Sequence, residues 1–330
     1  MHPPPLLRLF LPLTLTLPFL TTAIPSHSPT TETELAPLPL IIWHGLGDDF
    51  QRDGMQEVAA LAEKTNPGTY VHLIHLDSTS SGDRKATFFG NLTEQIDTVC
   101  AQLASNNILR TAPAVNALGF SQGGQFLRGY IERCNFPPVH NLVTFGSQHN
   151  GIAQFQECGW GDLLCRGAEA LLRAGRWSNY VQSQFVPAQY FRDPAELDDY
   201  LAHSNFLADV NNERDRKNYT YRDHLLRLNR FAMFMFKDDT LVHPKESVWF
   251  AEVNATSGEV VPLRERDLYK EDWLGLKVLD EQGKLDFETV PGGHMELSDG
   301  TLSAVFKQYF APVELDVAHE VPVLVDQRGY

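Results

Sequence analysis

The stretch that decides the fold is residues 119–134, GFSQGGQFLRGYIERC, which places Ser121 at the centre of a Gly-x-Ser-x-Gly pattern. The apolar run before it, residues 114–120, is typical of a buried strand, and apolar residues at helical spacing follow it. A serine on a tight turn between a strand and a helix is the arrangement of a nucleophile elbow. The short pattern arises by accident in roughly one chain in ten of this length. Its position between a predicted strand and a predicted helix makes an accident a poor explanation.

Short apolar runs alternate with amphipathic helical patterns along most of the chain. Leu92, Ile96, Val99 and Leu103, for example, recur at helical spacing between two of these runs. The alternation predicts an α/β fold in which a mainly parallel sheet is covered by helices on both faces. The predicted strands lie at residues 40–43, 69–77, 114–120, 141–146, 231–236 and 285–290.

The alternation is interrupted from about residue 147 to residue 230, just before one of the predicted strands. This segment is rich in aromatic residues and contains helical pieces such as GDLLCRGAEALLRAG at residues 161–175. We interpret it as a large insertion over the carboxyl edge of the sheet, not as an independent domain. Ligands of such sheets bind beyond the carboxyl ends of the strands, so the insertion is expected to shape the binding site.

The N-terminal residues differ in kind from the rest of the chain. Arg8 precedes a short, proline-interrupted apolar run, and small residues follow it up to Ala23. These features predict a secretory signal peptide, because the run is too short to span a bilayer. The predicted organisation is a signal peptide at 1–23, a linker at 24–37, the α/β domain at 38–310 and a tail of unknown role at 311–330.

Cysteine usage agrees with an oxidising compartment. The four cysteines form an even set, which an oxidising environment would pair, and three connectivities are open. We favour Cys100–Cys134, which would join two neighbouring helices, together with Cys158–Cys165, which would close a short loop. A zinc site is the alternative, but the chain contains no Cys-x-x-Cys pair.

Three sequons for N-glycosylation are compatible with the same secretory route. They predict acceptor sites at Asn91, Asn218 and Asn254.

The net charge of −15 limits the classes of partner. Nucleic acid is excluded, because its phosphates would be repelled along most approaches. No basic amphipathic helix offsets this charge at an anionic membrane, and no later segment is long and apolar enough for stable membrane insertion. The expected partner is a small molecule, a lipid or another protein.

Ser121 needs a base and an orienting acid, because an unassisted serine hydroxyl is a poor nucleophile. Asp238 and Asp239 follow one predicted strand, and His294 follows the last one in the sequence VPGGHMEL. All three therefore lie at the carboxyl edge of the sheet, in the order serine, acid, histidine. From the residues alone Asp238 and Asp239 are equal candidates for the acid. His294 is preferred to His243 as the base, because His243 belongs to the same loop as the two acids.

Two backbone amides are candidates for an oxyanion hole. One is the amide of Gln122, directly after the nucleophile, and the other is that of Leu46 in the loop WHGLGD. Glycines on both sides of Leu46 allow this loop to turn its amides inward. His149, in a turn after another predicted strand, is interpreted as structural.

Four segments together resemble the palmitoyl-protein thioesterase family of lysosomal enzymes. They are IIWHGLGDD, GFSQGGQFLRGYIERC, FLADVNNER and WLGLKVLDEQGKL, in the same order and within residues 38–310. The resemblance implies an α/β-hydrolase fold with a large insertion before the strand that carries the acid. It also implies hydrolysis of long-chain fatty acyl thioesters, with Ser121 as nucleophile and His294 as base. The family acid aligns with Asp239, which resolves the choice between the two aspartates.

The same resemblance implies the substrate side of the site. Phe191, Leu241 and Val242 occupy positions of the family's fatty-acyl groove, although the first is a tryptophan in the animal enzyme. Expected substrates are S-palmitoylated proteins or peptides and fatty acyl thioesters, with no metal or cofactor required. The expected location is the lumen of a lysosome or vacuole, or the extracellular space.

Two other functions remain as alternatives. A secreted lipase or carboxylesterase would use the same three side chains on oxygen esters, so residue chemistry alone does not exclude it. A catalytically silent protein of this fold, binding lipid or a partner, is less compatible with the complete Ser, Asp and His set.

Overall fold

A computed structural model describes residues 34–154 and 175–315. The predicted signal peptide, most of the predicted linker and the last part of the predicted tail lie outside the described residues. So does the predicted pair Cys158–Cys165. Residues Leu35–Leu315 form one compact unit.

Ten strands lie in the described part of the chain. In chain order they are β1 (Glu34–Ala36), β2 (Leu40–Trp43), β3 (Val71–Leu73), β4 (Val115–Phe120), β5 (Val139–Phe145), β6 (Arg230–Phe236), β7 (Glu252–Val253), β8 (Val260–Val261), β9 (Leu285–Val290) and β10 (Val313–Leu315). Each of the six strands predicted from the sequence is present, and those at 40–43 and 285–290 have the predicted bounds.

Six of these strands form a single parallel sheet in the order β3-β2-β4-β5-β6-β9. The register pairs Trp43 with Gly119 and Phe120 with Phe145, so the carboxyl ends of these strands lie at one edge. The strands are rich in Val, Ile, Leu and Phe, as expected for a sheet buried on both faces. The predicted α/β-hydrolase architecture, a parallel sheet between two layers of helices, is confirmed.

Twelve helices accompany these strands within residues 34–154 and 175–315. They are α1 (Asp53–Thr65), α2 (Ser80–Ala86), α3 (Leu92–Ser105), α4 (Gln122–Arg133), α5 (Asn179–Gln184), α6 (Val186–Gln189), α7 (Leu197–His203), α8 (Leu207–Val210), α9 (Tyr219–Leu225), α10 (Asp267–Lys270), α11 (Leu276–Glu281) and α12 (Asp299–Tyr309). Short 3-10 helices lie at Leu109–Thr111, Pro194–Glu196, Lys245–Trp249 and Leu263–Glu265. Among all these helices, none combines the length and the apolar character needed to span a lipid bilayer.

Alternate residues of each strand face two separate apolar cores. In β2, for example, Leu40 and Ile42 belong to the core beneath α1 and α12. Ile41 and Trp43 belong to the core that contains α3, α4 and much of the insertion. Successive side chains of a strand point to opposite faces, so the period of two in β2 supplies both layers at once.

The segment between β5 and β6 is the predicted insertion, and its described part contains only short helices. It contacts the segment between α2 and α3 through an isolated bridge between Phe89 and Phe185. The Gln189 side chain also accepts a hydrogen bond from the Leu92 amide at 2.8 Å, at the start of α3. These contacts hold the insertion against the segment that precedes α3.

A disulfide joins Cys100 of α3 to Cys134 at the end of α4, as predicted, with the Cα atoms 6.1 Å apart. The helices it connects pack on the same face of the sheet. The bond therefore fixes the far end of the helix that begins directly after Ser121.

Two small sheets lie apart from the central one. The strands β1 and β10 pair with each other, and β7 pairs with β8 in an antiparallel ribbon. Strand β1 falls in the predicted linker and β10 in the predicted tail. The regular structure therefore extends beyond residues 38–310 on both sides.

The three sequon asparagines differ in exposure. Asn218 and Asn254 are exposed, whereas Asn91 is half-buried. The Asn91 side-chain oxygen accepts the amides of Thr93 and Glu94 and so caps the start of α3.

Candidate active site

The carboxyl edge of the sheet brings three sequence-distant side chains into one hydrogen-bonded chain. Ser121 directly follows β4, Asp239 lies in the loop after β6, and His294 lies in the loop after β9. His294 Nε2 is 3.0 Å from Ser121 Oγ, and His294 Nδ1 is 2.7 Å from Asp239 Oδ2. With Nδ1–H donating to the carboxylate, Nε2 is left to accept the serine hydroxyl proton.

The two alternative candidates, Asp238 for the acid and His243 for the base, make other contacts. Asp238 is exposed, and its backbone amide donates to the carbonyl of Gly292 at 3.0 Å. His243 precedes a cis proline, and its carbonyl accepts the amide of Ala153 at 2.8 Å. Asp239 and His294 are therefore the acid and the histidine that reach Ser121.

Ser121 has the strained backbone of a nucleophile elbow. Its φ of 51° and ψ of −125° lie in a region that non-glycine residues rarely adopt. Although it stands at the N-cap of α4, its side chain caps no helix amide, so Oγ is available to His294. A helix N-terminus beneath the hydroxyl also favours negative charge that develops there.

Neighbouring glycines are required for close approach in this turn. A Cβ on Gly119 would lie 2.1 Å from the Gly124 Cα, and a Cβ on Gly123 would lie 2.3 Å from the Trp43 carbonyl oxygen. No side chain fits at those separations. The glycines of the motif thus let α4 start directly against β2 and β4.

Asp239 is buried and its second oxygen is also occupied. Oδ1 accepts the amide of Leu241 at 2.8 Å and that of Val242 at 3.0 Å. Burial raises the pKa of the Asp239 carboxyl. The hydrogen bond to His294, the charge of His294 and the two backbone amides outweigh burial and hold this pKa below its usual value. The carboxylate therefore stays ionised beside the imidazole.

Within the described residues, two backbone amides near Ser121 have no hydrogen-bond acceptor. In the described residues, the Leu46 amide makes no hydrogen bond. Gln122 is the first residue of α4, and the amides of a first helical turn have no partner within the helix. A Cβ on Gly45, next to Leu46, would be 3.1 Å from the Ser121 Cβ, so the loop lies against Ser121.

A buried pair supports this loop, and the sequence patterns gave no sign of it. His44 Nε2 and Asp83 Oδ2 are 2.8 Å apart, with both side chains almost fully buried. Asp83 also accepts the amides of Phe50 at 3.1 Å and Leu76 at 2.7 Å. The two residues are 39 positions apart, a separation that neither helical nor strand periodicity reveals.

The predicted groove residues lie in different environments. Phe191 and Val242 belong to the same buried core, with 1% and 4% of their surfaces exposed. Leu241 is 37% exposed, beside the Asp239 loop. His149 is buried, stacks on Phe250 and contacts Thr144 Oγ1 at 3.1 Å, in agreement with a structural role.

Across the described parts of the chain, no cluster of three or more His, Cys, Asp or Glu side chains could hold a metal ion.

Comparison with known proteins identifies relatives along most of the chain. The family model described as palmitoyl protein thioesterase matches residues 39–294. Palmitoyl-protein thioesterase 1 of Caenorhabditis elegans is 37% identical over 83% of this chain and 92% of its own length. Palmitoyl-protein thioesterase 3 of Dictyostelium discoideum is 31% identical over 82% of this chain and 89% of its own. A lysosomal thioesterase PPT2 homolog of Drosophila melanogaster is 29% identical over 79% and 86%, respectively.

Proposed function

Because the chain belongs to the palmitoyl protein thioesterase family, its activity is thioester hydrolysis, and we propose that Ser121, His294 and Asp239 carry it out. The observation that carries this proposal is the hydrogen-bonded chain from Ser121 Oγ through His294 to Asp239. The substrate class we assign is a long-chain fatty acyl group on the cysteine of a protein or peptide.

Acylation begins when His294 Nε2 takes the proton of Ser121 Oγ and the oxygen attacks the thioester carbonyl carbon. The ionised Asp239 stabilises the imidazolium that results, since its carboxylate already accepts a hydrogen bond from Nδ1–H. The Oγ–C bond forms, and the carbonyl oxygen becomes an oxyanion. Two backbone amides, those of Leu46 and Gln122, are the groups we assign to bind that oxyanion. Each such donor is worth about 3 kcal/mol of transition-state stabilisation.

Collapse of this intermediate breaks the C–S bond, and the imidazolium returns its proton to the cysteine sulfur. Water then gives a proton to His294 Nε2 while its oxygen attacks the acyl-serine carbon. The second tetrahedral intermediate then collapses: the Oγ–C bond breaks, His294 returns the proton to Ser121 Oγ, and the fatty acid is released. Every step uses side chains and backbone amides of this chain, and we propose no metal or cofactor.

The fatty acyl chain would occupy the apolar region next to the Asp239 loop. The Val242 backbone amide donates to Asp239, and its side chain packs in the same core as Phe191. The predicted groove therefore lies beside the acid. Leu241, partly exposed in the same loop, would contact the chain at the mouth of the site.

The secretory features of the sequence fit the same proposal. Relatives named lysosomal thioesterases occur among the similar proteins, and a disulfide is present between Cys100 and Cys134. We propose that residues 1–23 are a signal peptide, that Asn218 and Asn254 carry glycans and that the protein acts in a lysosomal or vacuolar lumen.

The experiment that tests this function compares a palmitoyl thioester with its matched oxygen ester, using the parent protein and Ser121→Ala. We expect strong preference for the thioester, and a fall in kcat of at least about 10⁴-fold in the variant, because loss of a triad serine removes the nucleophile.

Two results would contradict the proposal. Hydrolysis by Ser121→Ala within threefold of the parent would exclude Ser121 as nucleophile. Equal or faster turnover of the oxygen ester would keep the triad but favour a lipase or carboxylesterase.

A further inference from the structure

One residue, Thr87, connects the two segments that supply the proposed oxyanion donors. Its side-chain oxygen accepts the amide of Gly47, the neighbour of Leu46, at 3.0 Å. Its carbonyl oxygen accepts the Gln122 side-chain amide, through Nε2, at 3.2 Å. The segments around Leu46 and Gln122 are far apart in sequence, and this shared partner joins them through two hydrogen bonds.

Thr87 is itself held in place, and only 4% of its surface is exposed. Its hydroxyl donates to the Arg84 carbonyl at 2.7 Å, and the Arg84 side chain, through Nε, donates to the Gly47 carbonyl at 2.9 Å. Both polar groups of Gly47 are therefore bound by the end of α2. A loop residue fixed at its amide and at its carbonyl has little freedom to rotate the peptide next to it.

The other end of the Gln122 side chain is bound by the insertion. The Tyr190 hydroxyl, directly after α6, donates to Gln122 Oε1 at 3.0 Å, and both side chains are buried. Burial raises the pKa of Tyr190, so its hydroxyl remains a proton donor throughout the working range of pH. The side-chain amide of Gln122 is thus hydrogen-bonded to Thr87 through Nε2 and to Tyr190 through Oε1.

We propose that Thr87 and Tyr190 are positioning residues of the oxyanion hole, which align the Gly47 and Gln122 segments without touching the substrate. This inference rests on the proposed function, because it presumes that the amides of Leu46 and Gln122 bind the oxyanion. Ground-state binding of the acyl chain does not depend on that alignment, whereas the transition state does.

The effect on rate follows from the sensitivity of such sites to geometry. A displacement of about 1 Å in a positioned group can reduce a rate by about 100-fold. In Thr87→Val the Gly47 amide loses its acceptor, while the side chain keeps its volume. We expect kcat to fall between about 10-fold and 100-fold and KM to stay within threefold. Tyr190→Phe, which removes only the hydroxyl, should reduce kcat about tenfold.

The experiment measures kcat and KM for a palmitoyl thioester in the full-length protein and four variants. Thr87→Ser keeps a hydroxyl able to bind Gly47 and Arg84, so it should restore kcat to within threefold of the parent. Thr65→Val is the matched control, because the Thr65 hydroxyl also donates to a carbonyl of its own helix, Leu61 at 2.7 Å, but binds no loop. Thermal unfolding is recorded for each variant, and kcat is measured well below the midpoint.

The inference is overturned if Thr87→Val keeps kcat within twofold, if its loss is in KM, or if Thr87→Ser fails to restore the rate. Should Thr87→Val not fold, Tyr190→Phe decides, and an unchanged kcat in that variant overturns the inference. An inactive parent would instead be a failure of the proposed function. An active parent with unaffected variants would be a failure of this inference alone.

Discussion

The two sides of the candidate site are held together by different forces. On the sheet side, α4 starts against β2 and β4 through backbone contacts that only glycine permits. On the insertion side, short helices surround a buried ionic cluster of Arg192, Glu213 and Arg266, with 4–5% of each side chain exposed. One Glu213 oxygen lies 3.0 Å from Arg192 and 2.9 Å from Arg266, and Tyr200 donates to the other oxygen.

The position of Ser121 and the shape of the insertion therefore depend on different interactions. Close backbone packing leaves no alternative geometry, so the elbow is fixed by sterics and register. Buried charges are costly unless paired, and these pairs join the insertion to Glu252 of β7 and to Arg266, directly before α10. The elbow should therefore tolerate no change in volume, and the insertion no change in charge.

The largest expected effect is catalytic and belongs to the sheet side. In Asp239→Asn the histidine loses the carboxylate that fixes its tautomer and stabilises its charged form. We expect kcat for the palmitoyl thioester to fall about 10⁴-fold, as triad aspartates show elsewhere.

Its neighbour provides the control for that substitution. Asp238 is exposed and lies outside the hydrogen-bonded chain. Asp238→Asn should therefore keep kcat within twofold. Comparable losses in both variants would mean that the loop, and not the Asp239 carboxylate, is what the rate requires.

A methyl group at Gly123 should cost the most stability. Its Cβ would lie 2.3 Å from the Trp43 carbonyl and 2.4 Å from the His44 carbonyl. Because backbone atoms of a buried strand cannot yield cheaply, we expect Gly123→Ala to lower the free energy of unfolding by about 3 kcal/mol or more. Urea denaturation monitored by fluorescence measures this loss.

Gly54 in α1 is the matched glycine, since nothing lies within 4 Å of an added Cβ there. Gly54→Ala should leave the free energy of unfolding unchanged or slightly higher. Equal destabilisation at both positions would show that steric contact at the elbow is not the cause.

A charge change in the insertion should have the next largest effect. Glu213→Gln keeps the volume but removes the buried carboxylate that Arg192 and Arg266 share, and leaves them only the partly exposed Glu252. Breaking a buried ion pair by removing one partner typically costs about 3 kcal/mol or more. Some hydrogen bonds to the amide survive, so we expect about 2–3 kcal/mol less stability toward urea.

The exposed Glu265 serves as comparison, and Glu265→Gln should change stability by less than about 0.5 kcal/mol. A neutral result for Glu213→Gln would contradict the contrast between the two regions, because the insertion would then hold its shape without charge.

The smallest effect concerns pH and the pair that supports the loop at Leu46. Burial lowers the pKa of His44, but the hydrogen bond and charge of Asp83, with smaller contributions from the Gly45 carbonyl and Asp48, raise it above its usual value. The stability that the charged pair contributes is complete below the unfolded-state pKa of about 6.5. It is lost as the pH rises through the higher folded-state pKa.

His44→Gln should remove this dependence, because glutamine keeps a donor but does not titrate. At pH 5 we expect the parent to be more stable than the variant by about 1 kcal/mol, and therefore to have the higher melting temperature. The difference should shrink above neutral pH. A difference that grows toward alkaline pH would give the opposite sign and exclude a charged His44.

The sequence predicted what local patterns and motifs encode. The six strands, the disulfide between α3 and α4, and the positions of Ser121 and His294 after their strands were readable, because strand and helix periodicity and the elbow motif are short-range signals. Between Asp238 and Asp239 the residues alone did not decide, since both follow the same strand. Family resemblance supplied that choice, and the structure places Asp239 beside His294.

Long-range polar contacts could not be predicted from the sequence. Asp83 meets His44, and Thr87 meets Gly47 and Gln122, through folding of segments that no periodicity relates. The cluster around Glu213 joins residues from the insertion to Arg266, which lies beyond β6. The strands at the ends of the regular structure were missed for a different reason, because β1 and β10 have three residues each and neither lies in a continuous apolar run.

The position of β9 has a consequence for the lifetime of the activity. This strand lies at one end of the sheet, where its hydrogen-bonded neighbour is β6, and the loop after it carries His294. Terminal strands of a sheet open more readily than central ones, because they release fewer contacts when they separate. Heating should therefore detach the base from the serine while β4 and α4 are still intact. Inactivation would precede global unfolding, and rapid cooling from that stage would recover the enzyme.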